Sequence, residues 1–95
     1  MELEFSGEIF FWKGPSPFHF VAVPEVESDA IDAVSSSVTY GWGAIPVTAH
    51  LGRTTFKTSL FPKDARYLVP LKAKVREAGH LELGDEVAIR LVVDV

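Results

Sequence analysis

Residues 53–94, RTTFKTSLFPKDARYLVPLKAKVREAGHLELGDEVAIRLVVD, decide the fold. Thr54, Phe56, Thr58 and Leu60 alternate with Thr55, Lys57, Ser59 and Phe61, the period of a strand with two distinct faces, and Pro62 reads as its end. Tyr67-Leu68-Val69 is a short strand. Pro70 fits the first position of a helix, where its fixed φ is pre-set and its missing N–H is not needed. Leu71, Val75 and Ala78 then share one helical face while Lys72, Arg76 and Glu77 point away, and Gly79 is the expected left-handed terminator. Gly84-Asp85 turns the chain into a last strand, in which Val87, Ile89, Leu91 and Val93 alternate with Glu86, Ala88, Arg90 and Asp94.

Working outward, Leu3, Phe5, Ile9 and Phe11 alternate with Glu2, Glu4, Ser6 and Glu8, the signature of a half-buried strand. On the polar side the pattern turns apolar at Phe10 and Trp12, so this strand is expected to pass from solvent beneath another element. Gly14-Pro15-Ser16-Pro17 reads as a turn. The run from Phe18 to Val23 is almost wholly apolar and ends at Pro24, as in a strand buried on both faces. Glu25 to Val34 is a helical segment with Val26, Ala30, Ile31, Ala33 and Val34 at helical spacing and acids in its first turns, dissolving into Ser35-Ser36-Ser37. Tyr40-Gly41-Trp42-Gly43 leads into a strand with Ile45, Val47, Ala49 and Leu51 on one side, and Leu51-Gly52-Arg53 reads as a tight hairpin.

The expected fold is therefore mainly β (α+β): six strands and two short helices in the order β-β-α-β-β-β-α-β. Residues 1–95 are read as a single domain, because that length supports one modest core. In so short a chain the strands hide their edges best by curling into a small β-barrel plugged by the helices.

Composition narrows the function classes. The absence of cysteine excludes disulfides, thiolate zinc sites and thiol catalysis together. A formal net charge of −4 argues against nucleic acid as a partner, since phosphate contacts call for a basic surface. No apolar run approaches the roughly 20 residues of a membrane helix. The acidic start at Glu2, Glu4 and Glu8 is the reverse of an export signal, so a cytoplasmic location is expected.

The series Pro24, Gly41-Trp42-Gly43-Ala44-Ile45-Pro46-Val47, Gly52, Thr58-Ser59-Leu60-Phe61-Pro62, Tyr67-Leu68-Val69-Pro70-Leu71-Lys72, Val75-Arg76 and Gly84-Asp85-Glu86-Val87 resembles a bacterial domain-of-unknown-function family, number nineteen-oh-five. The resemblance spans almost the whole chain. It implies a small double-split β-barrel, distantly similar to the swapped-hairpin barrels of AbrB-type regulators, in proteins where the domain stands alone or precedes a bacteriocin-protection-type domain. It implies no activity, cofactor or site residue.

The residues themselves offer one sharp site. Thr55, Lys57 and Ser59 share a strand face, and Lys72 and Arg76 lie one helical turn apart, so together they form an expected ligand-binding patch for a small anion. The bland alternative is a solvated face, where lysine and arginine usually reside. Trp12 and Trp42 flank Gly-rich turns and are read either as an aromatic lip on a pocket or as caps on the barrel core. His19, His50 and His80 lack local metal spacing, so no metal site is expected, and no phosphate-cradling loop or dinucleotide fingerprint calls for a cofactor. Asp85 reads as a turn residue rather than a catalytic acid. Ser59 has no nucleophile elbow around it.

These readings converge on a non-enzymatic barrel that binds a small anionic ligand or a protein, as monomer or dimer. A DNA-binding dimeric barrel and an enzyme with an unrecognised site are the alternatives. A polar cleft around His50 or His19 would favour the enzyme.

Overall fold

The computed structural model describes residues 1–13, 19–38 and 45–93, with only the backbone of residues 35–38. The expected turn at Gly14–Pro17, Phe18, the Tyr40–Gly43 segment with Trp42, and Asp94 lie outside the described residues. In chain order the elements are β1 (Glu2–Phe11), β2 (His19–Ala22), α1 (Glu25–Val38), β3 (Ile45–Leu51), β4 (Thr54–Lys63), β5 (Arg66–Pro70), α2 (Ala73–Gly79) and β6 (Glu86–Val93). The six strands close into an antiparallel barrel in the order β1-β2-β5-β4-β3-β6. Fold class and element order are those expected from the sequence.

Closure depends on two ten-residue strands that change partner part-way. Glu2–Glu8 of β1 pair with β6, and Ile9–Phe11 pair with β2. Thr54–Leu60 of β4 pair with β3, and Phe61–Lys63 pair with β5. With β3 also pairing β6 and β2 pairing β5, every strand has two neighbours.

The period-two patterns set which side chains enter the barrel. Phe5 and Ile9 of β1, Ile45 and Val47 of β3, and Ile89 and Leu91 of β6 are all buried in one core cluster. The helices complete it with Ile31 from α1 and Val75 from α2. Each such side chain stabilises the fold by about 1.5–3 kcal/mol relative to exposure. The spacing placed Val26 with Ile31, but Val26 is 75% exposed, because α1 meets the barrel along a narrower stripe through Ser28 and Ile31. Ser28 is the one buried polar residue among those described. Its hydroxyl donates to Val23 O at 3.0 Å and accepts from Tyr67 N at 3.1 Å, so the helix supplies the hydrogen bonds that complete the β2–β5 junction.

Both prolines of the 53–94 stretch behave differently from expectation. Pro62 does not end its strand, since β4 continues through it to Lys63. In a two-residue hairpin the flanking Lys63 and Arg66 form the hydrogen-bonded pair, so position 62 opposite Tyr67 needs no donor toward β5. Pro70 closes β5 instead of opening α2, and the bond to His19 O is donated by Leu71 N at 2.8 Å. The helix begins at Ala73, with Lys72 as an N-cap that makes no side-chain cap bond. Gly79 is the last helical residue and His80 takes the left-handed conformation, φ 52°, ψ 46°. His80 N bonds Glu77 O and Leu81 N bonds Arg76 O, which is the Schellman pattern one residue later than glycine usage suggested. Asp85 is structural, but its carboxylate accepts from the preceding Glu82 N at 2.9 Å, not from a following amide.

The apolar switch at Phe10 and Trp12 also has its explanation. Phe20 faces away from the main core and is fully buried, packed by Phe10 (6.2 Å between ring centroids), Trp12 (5.5 Å) and Phe61 (6.4 Å). A second, aromatic cluster thus covers the outer wall where β1, β2, β5 and β4 meet.

Two predictions follow from backbone geometry. The β4–β5 turn holds Asp64 at φ 52° and Ala65 at φ 64°, a type I′ arrangement that glycine, asparagine and aspartate accept and that strains alanine. Ala65→Gly is expected to raise stability by about 0.5–1 kcal/mol, read as a higher denaturation midpoint at unchanged slope. Gly7 lies where β1 approaches β2, and a Cβ there would sit 2.7 Å from Val21 Cγ1, a stiff and fully buried side chain. Gly7→Ala is expected to cost about 1–3 kcal/mol by overpacking, measured in the same denaturation experiment.

Candidate functional site

On the outer wall opposite the aromatic cluster, strand register gathers polar side chains. Thr55 pairs with His50, His50 with Arg90, and Arg90 with Glu4, giving one row across β4, β3, β6 and β1. Residue 55, 50, 90 and 4 side chains share the outer face because their chain neighbours fill the barrel; Leu51, Ile89, Leu91 and Phe5 are all buried. One step along lies the row Lys57, Thr48, Val92 and Glu2. On the other side Ser6 faces Ala88. Small residues there, with Gly52 at the β3–β4 turn, leave an open groove of about 570 Å³ lined by Glu4, Ser6, His50, Ala88 and Arg90.

Two contacts organise the groove. Arg90 Nη1 donates to Glu2 Oε1 at 2.6 Å, and both side chains remain about half exposed. The hydrogen bond from Arg90, and then its charge, hold the Glu2 carboxyl below its ordinary range; loss of solvent opposes them, and His50 and the N-terminus add smaller lowering effects. His50 Nδ1 and Thr55 Oγ1 lie 3.0 Å apart, which fixes the imidazole and leaves Nε2 as the nitrogen for a guest. Chemically, the groove offers a guanidinium fork, an imidazole, hydroxyls and a carboxylate around a space accessible to water.

The residues singled out from sequence are distributed over several surfaces. Thr55 and Lys57 are exposed on the outer face of β4; Thr55 touches His50 and Lys57 lies one row along, and neither lines the groove. Ser59 lies further along β4, opposite Pro46. Lys72 is exposed at the start of α2, and α2 packs against β4. Arg76 donates from Nε to Leu71 O at 3.3 Å and lines a separate cavity of about 350 Å³ with Glu77, His80, Leu81 and Glu82. Trp12 packs on Phe20 in the aromatic wall, with Lys63 Nζ 5.1 Å from its ring centroid, a cation–π contact. Trp42 lies outside the described residues. His19 sits edge-on to Phe11, and its buried Nδ1 has no hydrogen-bond partner among the described residues. The described residues contain no group of three or more His, Asp or Glu side chains placed to hold a metal. No described helix is long and apolar enough to cross a membrane.

Sequence reasoning passed over Glu2, Glu4 and Arg90. Alternation put all three on polar strand faces, and that was the available signal. What it could not supply was that β1 and β6 are neighbours.

Because the folded-state value of Glu2 is lowered, the Arg90 contact stabilises the protein above the ordinary carboxylate range and loses that effect as pH falls through the lowered value. Followed by carbon-detected NMR, the Glu2 carboxyl should titrate below the ordinary glutamate range, and Arg90→Gln should raise it back toward that range. No curated protein matches the sequence. The family model described as a domain of unknown function, DUF1905, matches residues 5–91, which takes in β2 to β5, both helices and most of β1 and β6, and leaves Glu2 and Glu4 outside it. By that match the chain belongs to the DUF1905 family.

Proposed function

We propose that this barrel is a non-enzymatic binding module whose guest is a small anion, held in the outer groove by Arg90 and His50, with Lys57 one row along the same wall. The observation that carries this reading is the row Thr55–His50–Arg90–Glu4. It places a fork of guanidinium donors beside an imidazole oriented by Thr55, over a floor cleared by Ser6 and Ala88. Arginine grips carboxylates and phosphates through paired donors, and only one of its nitrogens is engaged by Glu2. The groove's volume lies in the range of small-molecule sites.

The 3.0 Å contact between His50 and Thr55 favours a second, catalytic reading in which His50 acts as base toward the threonine hydroxyl. The cleft around His50 adds to it. Against it stands the exposure of the pair, since chemistry of that kind profits from a site closed to water. Nucleic acid fits poorly with a chain of net charge −4 whose β1 outer face carries Glu2, Glu4 and Glu8.

A thermal-shift screen with small carboxylates and inorganic phosphate tests the proposal, because a guest of the native state raises Tm. The expected result is a hit that Arg90→Gln removes and Arg76→Ala retains. A hit lost with Arg76→Ala but kept with Arg90→Gln would transfer the site to the α2 surface. No shift with any anion at millimolar concentration would overturn the anion reading.

A further inference from the structure

The groove contains a carboxylate that its own neighbours leave unused. Glu4 is the direct cross-strand partner of Arg90, the position from which opposite charges on a sheet face normally pair. Arg90 instead reaches one row along to Glu2 Oε1 at 2.6 Å. Glu4 makes no hydrogen bond or ion pair with any described residue, yet it lines the same groove as Arg90 and His50. A guest that is only an anion would meet the guanidinium and this carboxylate together, and like-charge repulsion would offset part of its attraction. A guest carrying both signs would satisfy each group.

We propose that the groove selects zwitterions: a carboxylate on Arg90 and His50, and an ammonium group on Glu4, the pattern of a free α-amino acid. This deepens the anion reading and rests on it. Ammonium brings three donors to a carboxylate that has none, and Ser6 beside it adds a hydroxyl acceptor on the same outer face of β1. Glu2 has a separate role, because its bond to Arg90 engages one guanidinium nitrogen a row along the wall and keeps Arg90 from closing on Glu4. Without that bond, Arg90 would be free to pair with its direct partner and both charges would be lost to a guest.

Glycine, acetate and methylammonium, titrated at neutral pH into the 95-residue chain and followed by amide and imidazole NMR shifts, separate the contributions. Glycine is expected to bind at least about tenfold more tightly than either single-charge probe, with shifts at residues 4, 50 and 90. Glu4→Gln, at an exposed position without partners, should keep the native spectrum, abolish the preference for glycine, and leave acetate binding equal or tighter. Acetate matching glycine, with both indifferent to Glu4→Gln, would overturn the zwitterion proposal while leaving the anion reading intact. Methylammonium matching glycine would also overturn it. No shift around residues 50 and 90 with any of the three probes would overturn both readings. Glu2→Gln supplies an independent check, expected to weaken glycine and acetate alike.

Discussion

The structure depends on two strands being shared. β1 and β4 each run ten residues and hand over from one partner to another, at Glu8–Ile9 and at Leu60–Phe61. A strand that changes neighbours must bend, and two such bends placed across the barrel turn a sheet that would otherwise have open edges into a closed one. Gly7 lies one residue before the first handover, where the backbone of β1 comes too close to Val21 for a side chain. At the second, Phe61 swings to the outer wall to meet Phe20. The same handovers divide the outside of the barrel: where β1 and β4 flank β6 and β3 it is polar, and where they flank β2 and β5 it is aromatic.

Much of this was legible in the residues. Alternation at Ile45–Leu51, Thr54–Leu60 and Val87–Val93 assigned inward and outward faces correctly, because a strand buried on one side leaves little freedom in its pattern. The prolines misled for a physical reason. A proline's cost in a ladder depends on whether its missing N–H faces a partner, and that depends on register, which no local reading contains. Glycine misled at position 79 in the same way, since the left-handed residue fell on His80. Helix α1 runs to Val38, through the three serines where the helical pattern in the sequence dissolves.

The candidate site was legible only in fragments. Thr55 and Lys57 lie on the same outer wall as the groove. Their companions across it, His50 and Arg90, were visible as outward residues of separate strands, but the row that unites them exists only after β3 and β6 pair and β6 meets β1. The helix half of the expected anion patch, Lys72 and Arg76, was inferred from spacing within α2, which says nothing about the direction α2 presents to β4. Arg76 in fact bonds a backbone carbonyl near its own helix start.

The pairing of β1 with β6 joins Glu2 to Val92 and Glu8 to Glu86, across all the other elements of the barrel. Contacts of that kind form late, because a long loop must be closed before they return any energy. While the polypeptide emerges from a ribosome, β1 waits without its longest ladder until the residues of β6 are synthesised. The groove straddles this seam, so it cannot form before β6 has been made and has paired with β1.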